Sequence, residues 1–196
     1  AISNKNFAKW IENDVLPKMR DEPIAEAITS LVSHRRKRPR LIEGEERVIN
    51  ILEQLELTYN LQYRVGTYQI DICIDTKFGR YLLEVDESQH KSYSVPGEFD
   101  RILYCRDWAQ GRCGQTVFVR FNPDAFQFDG RDCRAIWKTR KDILVKLLSS
   151  YKPRDMKFQI IFLYYDMDAD EMPTILKDPH VPNAIRECTV PFRLSG

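Results

Sequence analysis

The sequence predicts an α/β fold, of the α+β kind, in which helices pack on a mixed sheet. Amphipathic segments with apolar residues near a 3.6-residue period alternate with short strand-like runs. Three of these runs follow one another, joined by short turns, before the next helical segment begins. From residue 44 the order is therefore helix, strand, strand, strand, helix, strand, helix, strand, which suits a mixed sheet covered by helices.

The first 40 residues are predicted to form a separate helical arm. Their apolar periodicity indicates helices at Phe7–Met19 and Pro23–Val32. A basic block follows, and Pro39 within it separates the arm from the rest, so we place the boundary between residues 1–40 and 41–196. Such a block is typical of a nuclear import signal or a phosphate-contacting arm, or else of a solvated linker. Its basic side chains are Arg35, Arg36, Lys37, Arg38 and Arg40.

The elements of the main domain can be placed one by one. Gly44–Leu57 is an amphipathic helix whose buried stripe is built around Val48, Ile51 and Leu52. Pro, Gly and Asn residues mark the ends of most later elements. The predicted strands are Thr58–Val65, Tyr68–Ile74, Arg80–Val85, Gln115–Phe121 and Lys157–Tyr165, with Ala184–Leu194 as a further edge strand. The predicted helices after the first are Glu98–Gln110 and Asp132–Ser150.

Composition limits the class of protein. The chain has 196 residues, of which 43% are hydrophobic and 30% charged, as in a folded domain with one core of ordinary size. No apolar run approaches the roughly 20 residues of a membrane span, so we expect no membrane contact. Five cysteines cannot all pair, and no secretory signal is visible. We therefore expect reduced thiols and an intracellular location, nuclear or cytoplasmic.

Acidic side chains converge at one end of the predicted hairpin Tyr68–Val85. Asp71 stands between Ile70 and Ile72 inside an apolar strand, where a carboxylate is costly unless it is paired or binds a cation. Glu84 and Asp86 end the next strand, and Gln89 and His90 follow. Carboxylates brought together repel one another unless a cation neutralises them, and Mg²⁺ or Mn²⁺ suits oxygen ligands. The alternative is that the acids are merely solvated at the rim of the hairpin.

These residues resemble the motif of the PD-(D/E)XK nuclease superfamily. The closer resemblance is to the branch of very-short-patch-repair-type endonucleases and their large-virus and eukaryotic relatives, some of which are encoded by viruses or mobile elements. In that branch a helix begins with Gly-Glu, an Asp stands in the second strand, and an acid-apolar-Asp stretch followed by Gln-His ends the third. The stretch Arg120–Asp124 also resembles the end of the following strand in those relatives. The matching positions are Gly44, Glu45, Asp71, Glu84, Val85, Asp86, Gln89 and His90.

The resemblance implies a restriction-endonuclease-like αβββαβ core and an endonuclease that hydrolyses phosphodiester bonds in DNA, with RNA left open. Glu45, Asp71, Glu84 and the Val85 carbonyl would hold the metal. Asp86 would share the metal or position His90, and Gln89 and His90 would contact the scissile phosphate or the attacking water. A homodimer would supply the two sites that cutting both strands needs. The residues expected to contact the nucleic acid are Arg120, Lys91 and the basic block Arg35, Arg36, Lys37, Arg38 and Arg40.

One departure from the motif keeps an alternative open. The superfamily lysine, two residues after the acid of the third strand, is absent, and Asp86 stands in its place. The alternative function is a catalytically inactive nuclease-like module that binds nucleic acid or a protein partner. A purely structural domain, with neither metal nor nucleic-acid binding, is the third possibility.

Overall fold

The computed structural model describes residues 41–90, 94–111, 114–153, 156–170 and 172–191. The predicted helices of the arm, the basic block, Lys91 and the side chain of His90 lie outside these described parts. The chain divides into two units, Ala1–Glu43 and Gly44–Gly196. The boundary predicted from the sequence lies near residue 40, close to this division.

The described residues form a mixed α/β structure. Two short 3₁₀ turns, Glu87–His90 and Thr174–Lys177, join longer elements. In chain order the elements are α1 (Glu43–Gln54), β1 (Thr58–Val65), β2 (Tyr68–Thr76), β3 (Gly79–Val85), α2 (Val95–Gln110), β4 (Thr116–Phe121), β5 (Phe126–Phe128), β6 (Arg131–Cys133), α3 (Trp137–Ser150), β7 (Phe158–Leu163) and α4 (Asn183–Cys188).

Five strands make one mixed sheet in the order β1-β2-β3-β4-β7. The first three strands form an antiparallel meander, as their short connections require. β4 and β7 run parallel to β3, and all six residues of each are buried. Such buried runs are typical of strands covered on both faces. The α/β class and the predicted order of these elements are confirmed.

Helices cover both faces of the sheet. On one face Leu82 and Phe118 join Phe99 of α2 and Ile185 of α4 in a single apolar cluster. On the other face the Tyr81 hydroxyl donates to the Leu147 carbonyl of α3 at 3.5 Å. Side chains alternate along a strand, so Glu84 points to the α2 face. No helix among the described residues is long and apolar enough to cross a membrane.

Two predicted elements are wrong. The helix predicted to start at Asp132 begins only at Trp137, because the chain first makes a small hairpin, β5–β6. Asp129 and Gly130 turn this hairpin with φ of 48° and 72°. The predicted edge strand Ala184–Leu194 contains most of the helix α4 instead. Within the described part of that segment, Thr189 forms a bridge to Ile160 of the sheet, and the Val190 N–H donates to the Ile160 carbonyl.

Candidate active site

Asp71 and Glu84 lie where β2 and β3 stop pairing. The last paired residues of the two strands are Ile72 and Leu83, so Asp71 and Glu84 stand one step beyond them. Asp71 Oδ2 accepts the backbone N–H of Val85 at 2.9 Å. A side chain of β2 thus takes the N–H that a backbone carbonyl would take in a regular ladder. This hydrogen bond holds the Asp71 carboxylate beside the end of β3.

Glu84 is almost completely buried, with 2% of its surface exposed. Burial raises the pKa of its carboxyl well above the ordinary value, and the negative charge of Asp71 raises it further, whereas Arg101 opposes the shift. Within the described residues its Oε1 atom accepts no hydrogen bond. A buried carboxylate next to a second carboxylate is therefore short of positive charge.

Arg101 supplies part of that charge from α2. Its Nη1 atom lies 3.2 Å from Glu84 Oε1, and its Nη2 atom lies 3.5 Å from Glu98 Oε2, three residues earlier in the helix. The Arg101 side chain is 17% exposed. The contact with Glu84 reaches ion-pair distance without hydrogen-bond geometry, so the two groups are close but not tightly joined.

A second cluster of charges lies beside the first and is joined by hydrogen bonds between Arg120, Tyr165, Asp86 and Glu98. Asp86 Oδ2 accepts hydrogen bonds from Arg120 Nε and from the Tyr165 hydroxyl, the latter at 2.6 Å. Arg120 Nη2 also donates to Glu98 Oε2 at 2.7 Å. Burial is the largest influence on the pKa of Arg120 and would lower it, but Asp86, Tyr165 and Glu98 together outweigh burial, so the pKa lies above its ordinary value. Asp86 therefore serves as the partner of Arg120.

The start of α1 packs against the end of β3. A Cβ atom on Gly44 would stand 2.9 Å from Val85 Cγ1, so only glycine permits this approach without displacing the valine. Glu45, the next residue, is buried with 6% of its surface exposed. The Val85 side chain thus lies close to the first turn of α1, while the Val85 N–H donates to the Asp71 carboxylate.

Gln89 links two loops. Its Nε2 donates to Asp166 Oδ1 and its Oε1 accepts the Asp166 N–H, both at 2.8 Å. Ser88 and Gln89 have φ of 52° and 58°, so the turn after β3 is tight. Both polar ends of the Gln89 amide are engaged, and its contacts tie the loop after β3 to the segment after β7.

The predicted site residues therefore separate into groups. Asp71 and Glu84 come together as predicted. Asp86 is hydrogen-bonded to Arg120, and Gln89 is hydrogen-bonded to Asp166. Arg120 is only 3% exposed, so the structure does not support the prediction that it contacts a nucleic-acid backbone. The sequence reading missed Glu98 and Arg101, which are ordinary charged residues of a helix. Their spacing of three residues gave no sign that they face the sheet.

The residues present fit a hard divalent cation only in part. Among the described residues, no group of three or more His, Cys, Asp or Glu side chains is arranged to hold a metal ion. Asp71 and Glu84 nevertheless provide the oxygen donors that Mg²⁺ prefers, and Glu84 Oε1 accepts no hydrogen bond. On this chemistry the pair fits such an ion.

Comparison with protein-family models, with curated proteins and with solved structures found no match to this chain.

Proposed function

We propose that this chain is a metal-dependent endonuclease that hydrolyses phosphodiester bonds in DNA. The observation that carries the proposal is the pair Asp71 and Glu84, placed together where two strands part. Glu84 is buried beside Asp71 with an oxygen that accepts no hydrogen bond from any described residue, and the pKa of its carboxyl is raised by burial and by Asp71. Two such carboxylates are stabilised by a shared cation.

The order of elements supports the same reading. The elements α1, β1, β2, β3, α2 and β4 follow the αβββαβ order that the resemblance to the PD-(D/E)XK superfamily implies. Asp71 lies in the second strand and Glu84 near the end of the third, at the positions where the motif has its acids. We therefore propose a restriction-endonuclease-like core of the very-short-patch-repair type.

In this proposal Asp71 and Glu84 hold the metal, and Glu45 and the Val85 carbonyl are further candidates for ligands. A Mg²⁺ or Mn²⁺ ion held there would supply Lewis-acid chemistry, polarising a phosphoryl oxygen and making a bound water a stronger nucleophile. The chain itself positions Asp71 through the Val85 N–H and keeps Glu84 out of water, which strengthens its electrostatic interactions. His90 remains a candidate for proton transfer.

The DNA-contacting residues, the oligomeric state and the location belong to the same proposal. We propose that the basic block and Lys91 contact the DNA backbone, and that a homodimer forms where both strands are cut. A nuclear or cytoplasmic location is proposed from the cysteine usage. These assignments depend on residues beyond the Asp71–Glu84 pair and need tests of their own.

A cleavage assay with matched variants tests the proposal. The protein is incubated with linear, nicked, branched and single-stranded DNA, and with RNA, in Mg²⁺ or Mn²⁺. Asp71→Asn keeps an oxygen that can accept the Val85 N–H, so we expect a folded protein. Its rate should fall about a thousandfold or more, because charge stabilisation by a metal is worth several kcal/mol.

Asp75→Asn is the control for that assay. Asp75 lies in the same strand, is exposed, and pairs with Arg80 at 2.8 Å. Its replacement should leave the rate unchanged. Cleavage by Asp71→Asn at the wild-type rate would contradict the proposal.

One observation favours the alternative of an inactive binding module. Asp86, at the place of the superfamily lysine, is paired with Arg120 and is not available to act on a phosphate. The two functions differ in metal binding. A nuclease binds Mn²⁺ through Asp71 and Glu84, whereas an inactive module that binds nucleic acid does so equally well in EDTA.

A further inference from the structure

Arg101 stands at the Asp71–Glu84 pair but makes few hydrogen bonds there. Its Nε and Nη2 atoms are buried and donate no hydrogen bond to any described residue. Its nearest carboxylate oxygen, Glu84 Oε1, accepts none. Leaving such buried polar groups without partners is costly. The contact between Arg101 and Glu84 therefore brings opposite charges together, but some of their buried atoms make no hydrogen bond to any described residue.

Each of the two groups has a better partner of a different kind. A buried carboxylate is best neutralised by a hard divalent cation, which its oxygens can coordinate directly. A guanidinium is best satisfied by a phosphate, whose oxygens match its planar fork of N–H groups. The Arg101 side chain is 17% exposed and that of Arg120 is 4% exposed, so Arg101 lies nearer the surface although its Nε and Nη2 atoms are buried.

We propose that Arg101 is a phosphate-contacting residue that serves as the counter-ion of Glu84 until a divalent cation takes that carboxylate. The proposal rests on the proposed function and adds a residue to it. When the cation is bound, Glu84 no longer needs the guanidinium, and Arg101 turns its free N–H groups to a phosphate of the nucleic acid. Arg101 thereby supplies a cationic side chain in a site that lacks the lysine of the superfamily motif.

This proposal predicts two opposite changes in Arg101→Met, which keeps a side chain of similar length without the charge. Mn²⁺ should bind about tenfold more tightly, because a positive charge a few ångströms from the carboxylates is removed. The electron paramagnetic resonance signal of free Mn²⁺, without nucleic acid present, measures this affinity. Labelled duplex DNA should bind about tenfold more weakly in Ca²⁺, because charge-assisted hydrogen bonds are lost. Fluorescence anisotropy measures the second affinity, with a gel to show that the duplex stays intact.

Two further variants separate charge from structure. Arg101→Lys keeps the charge but not the fork, so its Mn²⁺ affinity should match the wild type while duplex binding falls. Arg106→Met removes an arginine of the same helix that pairs with Asp107, and its Mn²⁺ affinity should not change. Circular dichroism confirms that each variant is folded.

The results separate a failure of the role proposed for Arg101 from a failure of the proposed nuclease function. A wild-type protein that binds no Mn²⁺, or binds it equally well in Asp71→Asn, overturns the proposed function and this role of Arg101 together. If wild-type binding requires Asp71 and Arg101→Met binds Mn²⁺ no more tightly, only the role of Arg101 is overturned. Tighter Mn²⁺ binding with unchanged duplex binding also overturns it, because the proposal requires both changes.

Discussion

Two arginines share Glu98, yet their surroundings differ. Arg120 lies in the central strand β4, is buried, and donates hydrogen bonds to Asp86 and Glu98. Arg101 lies one layer away in α2, is more exposed, and makes ion-pair contacts with Glu84 and Glu98 at 3.2 and 3.5 Å. Two arginines with a common partner, Glu98, thus make different contacts within one cluster of charges.

The two arginines differ in how far their charges are matched by hydrogen bonds. Buried charges are tolerated when their hydrogen bonds are made, as they are for the Arg120 guanidinium, which donates to Asp86 and Glu98. At Arg101 and Glu84, some buried nitrogen and oxygen atoms make no hydrogen bond to any described residue. A natural protein keeps such a shortfall chiefly at functional sites, where a ligand supplies what is missing.

Arg120→Met should have the largest effect on stability. It leaves Asp86 buried without the arginine that neutralises it, and breaking a buried ion pair in this way costs about 3–5 kcal/mol of the free energy of unfolding. Arg101→Met should cost clearly less, because the Arg101 side chain is more exposed than that of Arg120. Urea unfolding in EDTA measures both. Equal losses for the two variants would remove the distinction between the arginines.

Tyr165→Phe should have a smaller effect at the same cluster. The hydroxyl donates to Asp86 Oδ2 at 2.6 Å, and its removal leaves a buried acceptor with one donor fewer. The expected loss is about 1–3 kcal/mol by urea unfolding. Tyr104→Phe is the control, because Tyr104 is 42% exposed and water can replace its hydroxyl. A loss no greater in Tyr165→Phe than in this control would count against the hydrogen bond.

The main effect of Glu84→Gln should be on how the free energy of unfolding varies with pH, rather than on its size at any one pH. Because the pKa of Glu84 is raised in the folded state, the folded protein holds its proton more strongly than the unfolded chain does. The contribution of Glu84 to the stability of the wild-type protein is therefore fully present below the ordinary pKa of 4.5 and is lost as the pH rises from there through the raised value. The amide does not ionise, so the variant avoids this loss.

Melting temperatures across a pH series in EDTA measure that effect. The variant should gain stability relative to the wild type as the pH increases from 4.5 towards neutrality. Parallel profiles for the two proteins would show that Glu84 ionises as an ordinary carboxyl.

Local sequence patterns predicted most of the helices and strands. β1 runs from Thr58 to Val65 as expected, because its residues and the turn at Gly66 define it without help from the rest of the chain. The segment before Trp137 could not be placed this way, because its charged and apolar residues fit a helix as well as a hairpin. The segment after Ala184 was misread for a related reason, since a short helix and an edge strand can carry similar apolar spacing.

The site was predictable where the chain itself is unusual. Asp71 stood out because a carboxylate inside an apolar strand needs a partner. Arg120 offered the same signal, since it lies between Val119 and Phe121, and the structure shows that its partners are Asp86 and Glu98. Arg101 offered no signal, because a charged residue in a helix is ordinary until the helix is packed on the sheet.

The hydrogen bond from Val85 to Asp71 gives the site a reporter of its own. Amide protons exchange with solvent only when their hydrogen bonds open, and here the acceptor is a side chain whose charge any bound ligand would alter. The exchange rate of this one amide proton therefore follows the state of the Asp71 carboxylate. Nuclear magnetic resonance of Val85 could then register occupancy of the site with no substrate added and no bond broken.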